Sequence, residues 1–408
     1  MQQQWTLPVA AAAPFRGAVM MLSDSKLPKV GTTIFTVMSQ LAMKHGAMNL
    51  GQGFPDFAVP SGLMDALDRA MRAGHNQYAP MTGIPALRQT IAAKTEALYG
   101  HPVDADAEVT VTSGATEAIF AAVHALIRTG DEVIVLDPCY DCYEPAIELA
   151  GATAVHVPLT DPDFRPDWER IEAAVTPRTR MIIVNTPHNP CGSAFDPADL
   201  DALAALAERH GLWVISDEVY EHIAFGEHGH QSVLRHPGLA ARSLVVSSFG
   251  KTFHCTGWKV GYCVAPAALS AEFRKVHQYL TFCTFNPAQH ALAEMLEKHP
   301  DHYCDLPDFY RAKRDRFRDG LSGSVFGLPP VDGSYFQLID YSALIPALGE
   351  LDDMAFSRWL VEEKGVAAIP LSPFYAEPPA GQRLVRLCFA KDDATLDAAA
   401  AKLCAIAP

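Results

Sequence analysis

The chain is short of basic charge, of long apolar runs and of paired cysteine motifs, and each shortage excludes something. Lysine and arginine number 32 against 47 aspartates and glutamates, a formal net charge of −15 over 408 residues. A nucleic-acid binder needs a basic surface to neutralise phosphates, so that class is set aside, although a local basic pocket for a small anion is not. No apolar run approaches the roughly 20 residues that span a bilayer, which argues against a membrane protein. The nine cysteines are odd in number and scattered. They read as buried or free thiols of a reducing compartment, the cytoplasm, not as a disulfide framework. Apolar side chains are abundant, 49% of residues against 19% charged. That is enough for a sizeable core and too much for wholesale disorder. At roughly 100–200 residues per domain, the length allows two domains, or one large domain with a satellite.

Residues 1–20, MQQQWTLPVAAAAPFRGAVM, are Ala-rich and aperiodic. Their one basic residue, Arg16, lies on the wrong side of the apolar stretch for a secretory signal. Residues 1–26 are read as a disordered extension. Met20 and Met21 allow a second reading, an upstream start codon.

From residue 100 to 265, strands and helices alternate. Val109–Thr112, Val133–Asp137, Met181–Asn185, Leu212–Ser216 and Leu244–Ser247 are short continuous apolar runs, as strands buried on both faces of a parallel sheet require. Between them, Asp196 is placed to N-cap a helix, Pro197 fits its first position and Gly211 its stop, with Leu200, Leu203 and Leu206 on one face. This alternation predicts an α/β sandwich with a mostly parallel sheet and sites at the carboxyl ends of its strands. After residue 300 the texture changes to a long charged helix, Leu306–Leu321, and short strands, Ser334–Ile339 and Leu384–Phe389. A second, smaller α+β unit is expected there.

Several motifs look chemical and fail on inspection. Cys139 and Cys142 have CxxC spacing but no second pair at zinc spacing. Gly250-Lys251-Thr252 resembles the end of a P-loop, but Val245 stands where that loop needs glycine. His222, His228, His230 and His236 are irregularly spaced and are expected to be solvated surface residues. Gly51-Gln52-Gly53 lacks the rest of a dinucleotide fingerprint. No metal site is predicted.

A different constellation holds together. Ser113-Gly114-Ala115-Thr116 follows one strand and opens the apolar helix Glu117–Ile127, so its free backbone N–H groups suit a phosphate; an ordinary N-cap is the plainer reading. Lys251 lies just beyond another strand, where a buried amine needs a partner or a covalent task. Lys259, eight residues on, is placed to pair with a phosphate and to disfavour protonation of Lys251. Asp217 ends a third strand, as a helix cap or as the partner of a pyridinium nitrogen.

With NQYAPMTGIPALR (76–88), SGATEA (113–118), DPCYDCYEP (137–145), NTPHNPCG (185–192), SDEVYEHI (216–223), SSFGKTFHCTGWKVGY (247–262) and VRLCFA (385–390), the chain resembles the fold-type I pyridoxal-phosphate aminotransferases of class I/II. The likeness runs from about Leu27 to the C-terminus. LPKVGTTIFTVMSQLA (27–42), LGQGFPDF (50–57) and RKVHQYLTF (274–282) narrow it to the subgroup of bacterial methionine aminotransferases and kynurenine–oxoacid aminotransferases.

The resemblance implies a three-layer sandwich. Residues 27–60 would form an N-terminal arm and part of a small domain, 61–295 the large cofactor-binding domain and 296–408 the small C-terminal domain. It makes Lys251 the Schiff-base lysine and Asp217 the carboxylate that keeps the ring nitrogen of pyridoxal 5'-phosphate protonated. Tyr220 and Asn189 match residues that bond the ring's phenolic oxygen, and Tyr140 the aromatic stacked on the ring. Ser248, Lys259, Gly114, Ala115 and Thr116 match the phosphate cradle, and Tyr78 a tyrosine reaching the phosphate from the partner of a homodimer. Arg386 resembles the arginine that clamps the substrate α-carboxylate, Gly53 a backbone contact to substrate, and Phe35 and Phe282 the walls of the side-chain pocket; Asn189 also touches substrate. The implied reaction is ping-pong transfer of an amino group to a 2-oxo acid. The nameable pocket residues are aromatic, and no arginine is placed for a second carboxylate. That favours methionine and the aromatic donors phenylalanine, tyrosine and kynurenine over aspartate. Ala115, Thr116 and Cys283 depart from residues found in related groups, which leaves substrate choice open. Two alternatives stand beside this reading: a cysteine-S-conjugate carbon–sulfur β-lyase using the same lysine, and a non-enzymatic binding protein on the same scaffold.

Overall fold

The computed structural model describes residues 24–407; the expected N-terminal extension lies outside them up to residue 23. Seven strands form the central sheet: β1 (Val109–Thr112), β2 (Glu132–Asp137), β3 (Thr153–Pro158), β4 (Thr179–Asn185), β5 (Trp213–Asp217), β6 (Ser243–Ser248) and β7 (Gly261–Val264). Their order across the sheet is β1-β7-β6-β5-β4-β2-β3. β3, β2, β4, β5 and β6 run parallel, while β7 lies antiparallel between β6 and β1.

Alternation along the buried strands explains the layers. Val133, Val135, Met181, Ile183, Ile215 and Val246 feed one core, and Ile134, Leu136, Ile182, Val184 and Val214 feed the core on the opposite face. Each such side chain contributes about 1.5–3 kcal/mol over leaving it in water. Helices cover both faces because a continuous apolar strand has no face to give to solvent. The helix Pro197–His210 begins with a capping box between Asp196 and Asp199 and ends on Gly211 at φ 65, as its flanking residues foretold.

Two strands of this sheet were not foreseen. β3 is an edge strand, mostly half-buried along its length, and TAVHVP carries no continuous apolar run. β7 is only four residues long and starts on a glycine that a side chain could not replace: a Cβ there would lie 2.7 Å from the Ser247 carbonyl.

The smaller unit carries an antiparallel sheet of β8 (Phe336–Asp340), β9 (Ile369–Pro370) and β10 (Leu384–Cys388), in the order β9-β10-β8. The expected strand start at Ser334 moves to Phe336, since Ser334 sits at φ 58. The charged helix Leu306–Gly320 packs on the helix Asp393–Cys404, where Arg316 and Lys313 meet Asp393 and Asp397. Early residues join this unit as well: Met48 and Asn49 pair in parallel with Val366 and Ala367.

Candidate active site

Four adjacent strands end at one edge of the central sheet, and their last residues are polar: Asp137, Asn185, Asp217 and Ser248. Such an edge at the carboxyl ends of parallel strands is where α/β sheets build sites. Beside it lies a cavity of about 230 Å³.

At one end the cavity is lined by Gly114, Ala115, Thr116, Ser248 and Lys259. The helix Ala115–Leu126 starts from Gly114, which offers no side-chain acceptor. Its first N–H groups therefore face the cavity end with the positive pole of the helix behind them. Gly114 adopts φ 86, and a Cβ on it would fall 3.2 Å from Lys259 Nζ. The glycine keeps the ammonium and the helix start close together. Backbone N–H groups, a hydroxyl and an ammonium converging on one point suit a phosphate.

Lys251 follows β6 in the one-turn helix Phe249–Thr252, whose N-cap is Ser248. Gly250 is required there, because a Cβ would meet Thr256 Cα at 2.9 Å. Lys251 Nζ donates to the Gly53 carbonyl at 3.1 Å and faces the rings of Tyr220 and Tyr335 at 5.5 and 5.6 Å. Burial lowers its amine to about 8, helped by Arg386 and Lys259. The like-charge effect expected of Lys259 is present, but burial outweighs it.

Asp217 is buried beside the cavity without lining it. Tyr143 donates its hydroxyl to Asp217 Oδ2 at 2.6 Å, and Asn185 donates to the Asp217 carbonyl at 2.8 Å. Burial pushes the carboxyl up to about 6, against the pull of the Tyr143 hydroxyl, the Val219 N–H on Oδ1 and Lys251. Tyr140, Asn189 and Tyr220 line the middle of the cavity, and burial raises both phenols, so they stay protonated donors.

At the far end stand Arg386, Gly53 and Phe35. Arg386 lies on β10 and is 1% exposed. It donates through Nη1 to Asn189 Oδ1 at 2.7 Å and through Nη2 to the Gly51 carbonyl at 2.8 Å. Its Nε–H is buried without a partner. The guanidinium stacks 4.0 Å from the Phe336 ring, with Phe35 and Phe374 at 5.2 and 5.5 Å. A guanidinium offers five N–H donors; two are used, and the rest suit a carboxylate.

Tyr78 and Phe282 lie outside this cavity. Their rings meet edge to face at 5.6 Å in an outer depression shared with Phe285, and they are 83% and 43% exposed. Phe282, expected to wall the side-chain pocket, does not line this chain's own cavity; it follows the helix Ala267–Leu280 with its backbone at φ 64.

The structure adds residues to which the sequence reading gave no role in the site: Gln52, Asn185 and Phe336 in the lining, Tyr143 on Asp217, and Tyr335, which donates to the Gly53 carbonyl at 2.7 Å. Asn185 and Tyr143 lie inside motifs quoted above, so position alone was a signal; Tyr335 and Phe336 had none. The histidine cluster is also corrected. His228 is exposed, but His222 and His230 are buried. His230 meets Glu218 at 2.8 Å, and His222 joins a buried network in which Lys94 pairs with Glu221 at 2.7 Å.

The family described as aminotransferase class I and II matches residues 45–403. A methionine aminotransferase of Escherichia coli (strain K12) is 56% identical over 383 residues, 94% of this chain and 98% of that protein. Kynurenine–oxoglutarate transaminase 1 of Mus musculus is 35% identical over 414 residues, 94% of this chain and 97% of that protein. A solved Escherichia coli structure, described as identifying a methionine aminotransferase function, superposes with a TM-score of 0.91 at 55% identity over 95% of this chain and 100% of that one.

Proposed function

The chain belongs to the class I and II aminotransferases, and from that premise we propose that it moves the amino group of methionine to a 2-oxo acid with pyridoxal 5'-phosphate as cofactor. Phenylalanine, tyrosine and kynurenine are further donors on this reading. The observation that carries it is one cavity lined by Lys251, Arg386 and a phosphate-type cradle of Gly114, Ala115, Thr116, Ser248 and Lys259, with no second arginine in the lining among the described residues.

The residues present fit the cofactor. Ala115 and Thr116 N–H groups, Ser248 and Lys259 hold its phosphate, in the gap that only glycine at 114 leaves open. Tyr140, in the cavity lining, would stack on its ring. Tyr220 donates to the phenolic oxygen; Asn189 joins it through its amide N–H, since its Oδ1 already serves Arg386. When bound, the cofactor supplies a carbonyl carbon for the amino group and a protonated ring that withdraws electrons from the substrate α-carbon.

Lys251 would hold the cofactor's carbonyl carbon at rest; freed by the donor amine, its Nζ would take the proton from the substrate α-carbon and deliver it to the cofactor carbon, and would carry a proton the opposite way in the second half-reaction. An amine near 8 can both accept and release a proton at neutral pH. Asp217, ionised above about pH 6, holds the proton at the ring nitrogen, and Tyr143 holds Asp217. Arg386 grips the donor's α-carboxylate, while Gly53 and Phe35 border the side chain. A lining that offers Phe35 to the side chain and, among the described residues, no arginine besides Arg386 suits donors that carry a single carboxylate.

The same reading makes the enzyme a twofold homodimer. Tyr78, Phe282 and Phe285 are exposed together at the outer depression, an apolar patch that a second copy would cover, bringing Tyr78 and Phe282 to the partner's cavity. Its nine free cysteines accord with a cytoplasmic location. A panel of amino donors against several oxo acids tests the proposal: methionine and the aromatic donors should lead and aspartate should fail. Pyruvate released from a cysteine S-conjugate faster than any transfer would favour the β-lyase instead.

A further inference from the structure

We infer that Asp137 is a positioning residue: held by His156, it latches the segment 372–376 to the large unit and so fixes Phe374 beside Arg386. The inference rests on the proposed role of Arg386 as holder of the donor carboxylate.

Asp137 ends β2, is 2% exposed and takes no part in the cavity lining. Both its oxygens are committed. His156, on the neighbouring strand β3, holds Oδ1 through Nδ1 at 2.8 Å. Oδ2 accepts the backbone N–H of Ala376 at 3.0 Å. Two residues beyond Asp137, the Cys139 N–H donates to the Phe374 carbonyl at 2.7 Å. These two bonds bracket Phe374 and tie it to the turn that leads to Tyr140.

Phe374 needs this tie more than its neighbours do. Phe336 sits in β8 and Arg386 in β10, both fixed by a ladder. Phe374 lies in a single 3-10 turn, Ser372–Phe374, with no strand partner of its own. Besides the latch, the turn is held at its start by Ser372 on Asp353, through the backbone N–H and through the hydroxyl at 2.9 Å. Yet its ring lies 5.5 Å from the Arg386 guanidinium and meets Phe35 edge to face at 5.8 Å. The position of a ring that backs Arg386 and Phe35 from outside the cavity lining thus depends on a carboxylate that never touches substrate.

Asp137 favours the protonated form of His156. Burial by itself would lower the His156 imidazole, but its hydrogen bond to Asp137 and the Asp137 charge outweigh burial and raise it. Glu144, 4.0 Å from His156 Nε2, adds to that, and Lys29 opposes it. The Cys139 thiol lies within 4.8 Å of both partners; burial, with Asp137, pushes it well up, so it stays neutral.

The test uses Ala376→Pro, which removes the N–H donor without touching Asp137 or His156. Ala376 is exposed, and Tyr375 at ψ 145 already has the backbone that a following proline demands. In the holoenzyme, amide exchange at Cys139 and the donor KM would be measured for Ala376→Pro, Asp137→Ala and Asp137→Asn. Ala376→Pro and Asp137→Ala should speed Cys139 exchange about tenfold and raise the KM for methionine about tenfold, with kcat and cofactor affinity nearly unchanged. Asp137→Asn, which keeps an acceptor for Ala376, should recover most of the KM. Wild-type exchange and KM in Ala376→Pro would overturn the inference. So would faster exchange with an unchanged KM, since the latch would then not reach Arg386. An equal loss of cofactor affinity would mark general destabilisation and overturn it as well. Arg386→Lys measured alongside reports separately on the carboxylate role: if that variant keeps its KM, it is the underlying reading that has failed.

Discussion

Replacing Arg386 by lysine keeps the charge and removes the fork, and the structure says what that should cost. The arginine spends one N–H on Asn189 and one on the Gly51 carbonyl and retains donors on the edge that includes the unpartnered Nε. A single ammonium cannot hold both anchors and still present two parallel donors to a carboxylate. At least one charge-assisted hydrogen bond to the substrate is lost, worth about 1.5–3 kcal/mol. At about 1.4 kcal/mol per tenfold, kcat/KM should fall about 10- to 150-fold. The loss should be nearly equal for methionine, phenylalanine and alanine, because all three present the same carboxylate. Cofactor content should not change, because the phosphate end is built from other elements. The assay is kcat/KM for those three donors at saturating oxo acid, with cofactor content checked by absorbance. A drop smaller than about threefold, or one that merely reorders the donors, would refute the reasoning.

Phe35→Ala should do the opposite. Methionine and phenylalanine should lose about 1–3 kcal/mol of apolar contact in kcat/KM and alanine little; an equal loss for alanine would place Phe35 elsewhere. With the Lys251 amine near 8, raising the pH converts it to the nucleophilic form, so the apoprotein should capture pyridoxal phosphate about tenfold faster at pH 9 than at pH 7. A flat profile would deny the lowered amine. Sedimentation should find a dimer, and Tyr78→Phe should lower cofactor affinity; an active monomer would contradict the shared site. Asp196→Ala should lower unfolding free energy by about 0.5–2 kcal/mol in urea, since the capping box of the helix Pro197–His210 is broken.

What was legible in the sequence was local. Asp196, Pro197 and Gly211 sit at the ends of one helix, and the rules that place them act over a single turn. The buried strands announced themselves by β-branched runs, while the half-solvated edge strand Thr153–Pro158 and the short β7 carried too few such residues. Lys251 and Lys259 could be singled out from their own short segments, Gly114 only as an alternative to an ordinary N-cap, and Ser248 only through the family resemblance. Contacts made across long stretches of chain could not. Asp217 is gripped by Tyr143, 74 positions away, and Lys94 reaches Glu221 over 127 positions. The Lys94 network takes in His222, and Glu218 pairs with His230, so both histidines, polar by composition and irregular in spacing, are buried with partners rather than solvated. The aromatic walls of Arg386 come from residues 35, 336 and 374, three segments that only the folded chain brings together.

The central claim is that this chain moves an amino group and that Lys251 is the group that makes the move possible. The most direct measurement is the amount of 2-oxo acid formed when methionine is mixed with cofactor-loaded enzyme and no acceptor is present. Transfer must stop when every cofactor has taken one amino group, so the account predicts one equivalent of 2-oxo acid per active site, further turnover only after an oxo acid is added, and no product from Lys251→Ala. Continuous product formation without an acceptor, as an elimination would give, or an undiminished yield from Lys251→Ala, would contradict it.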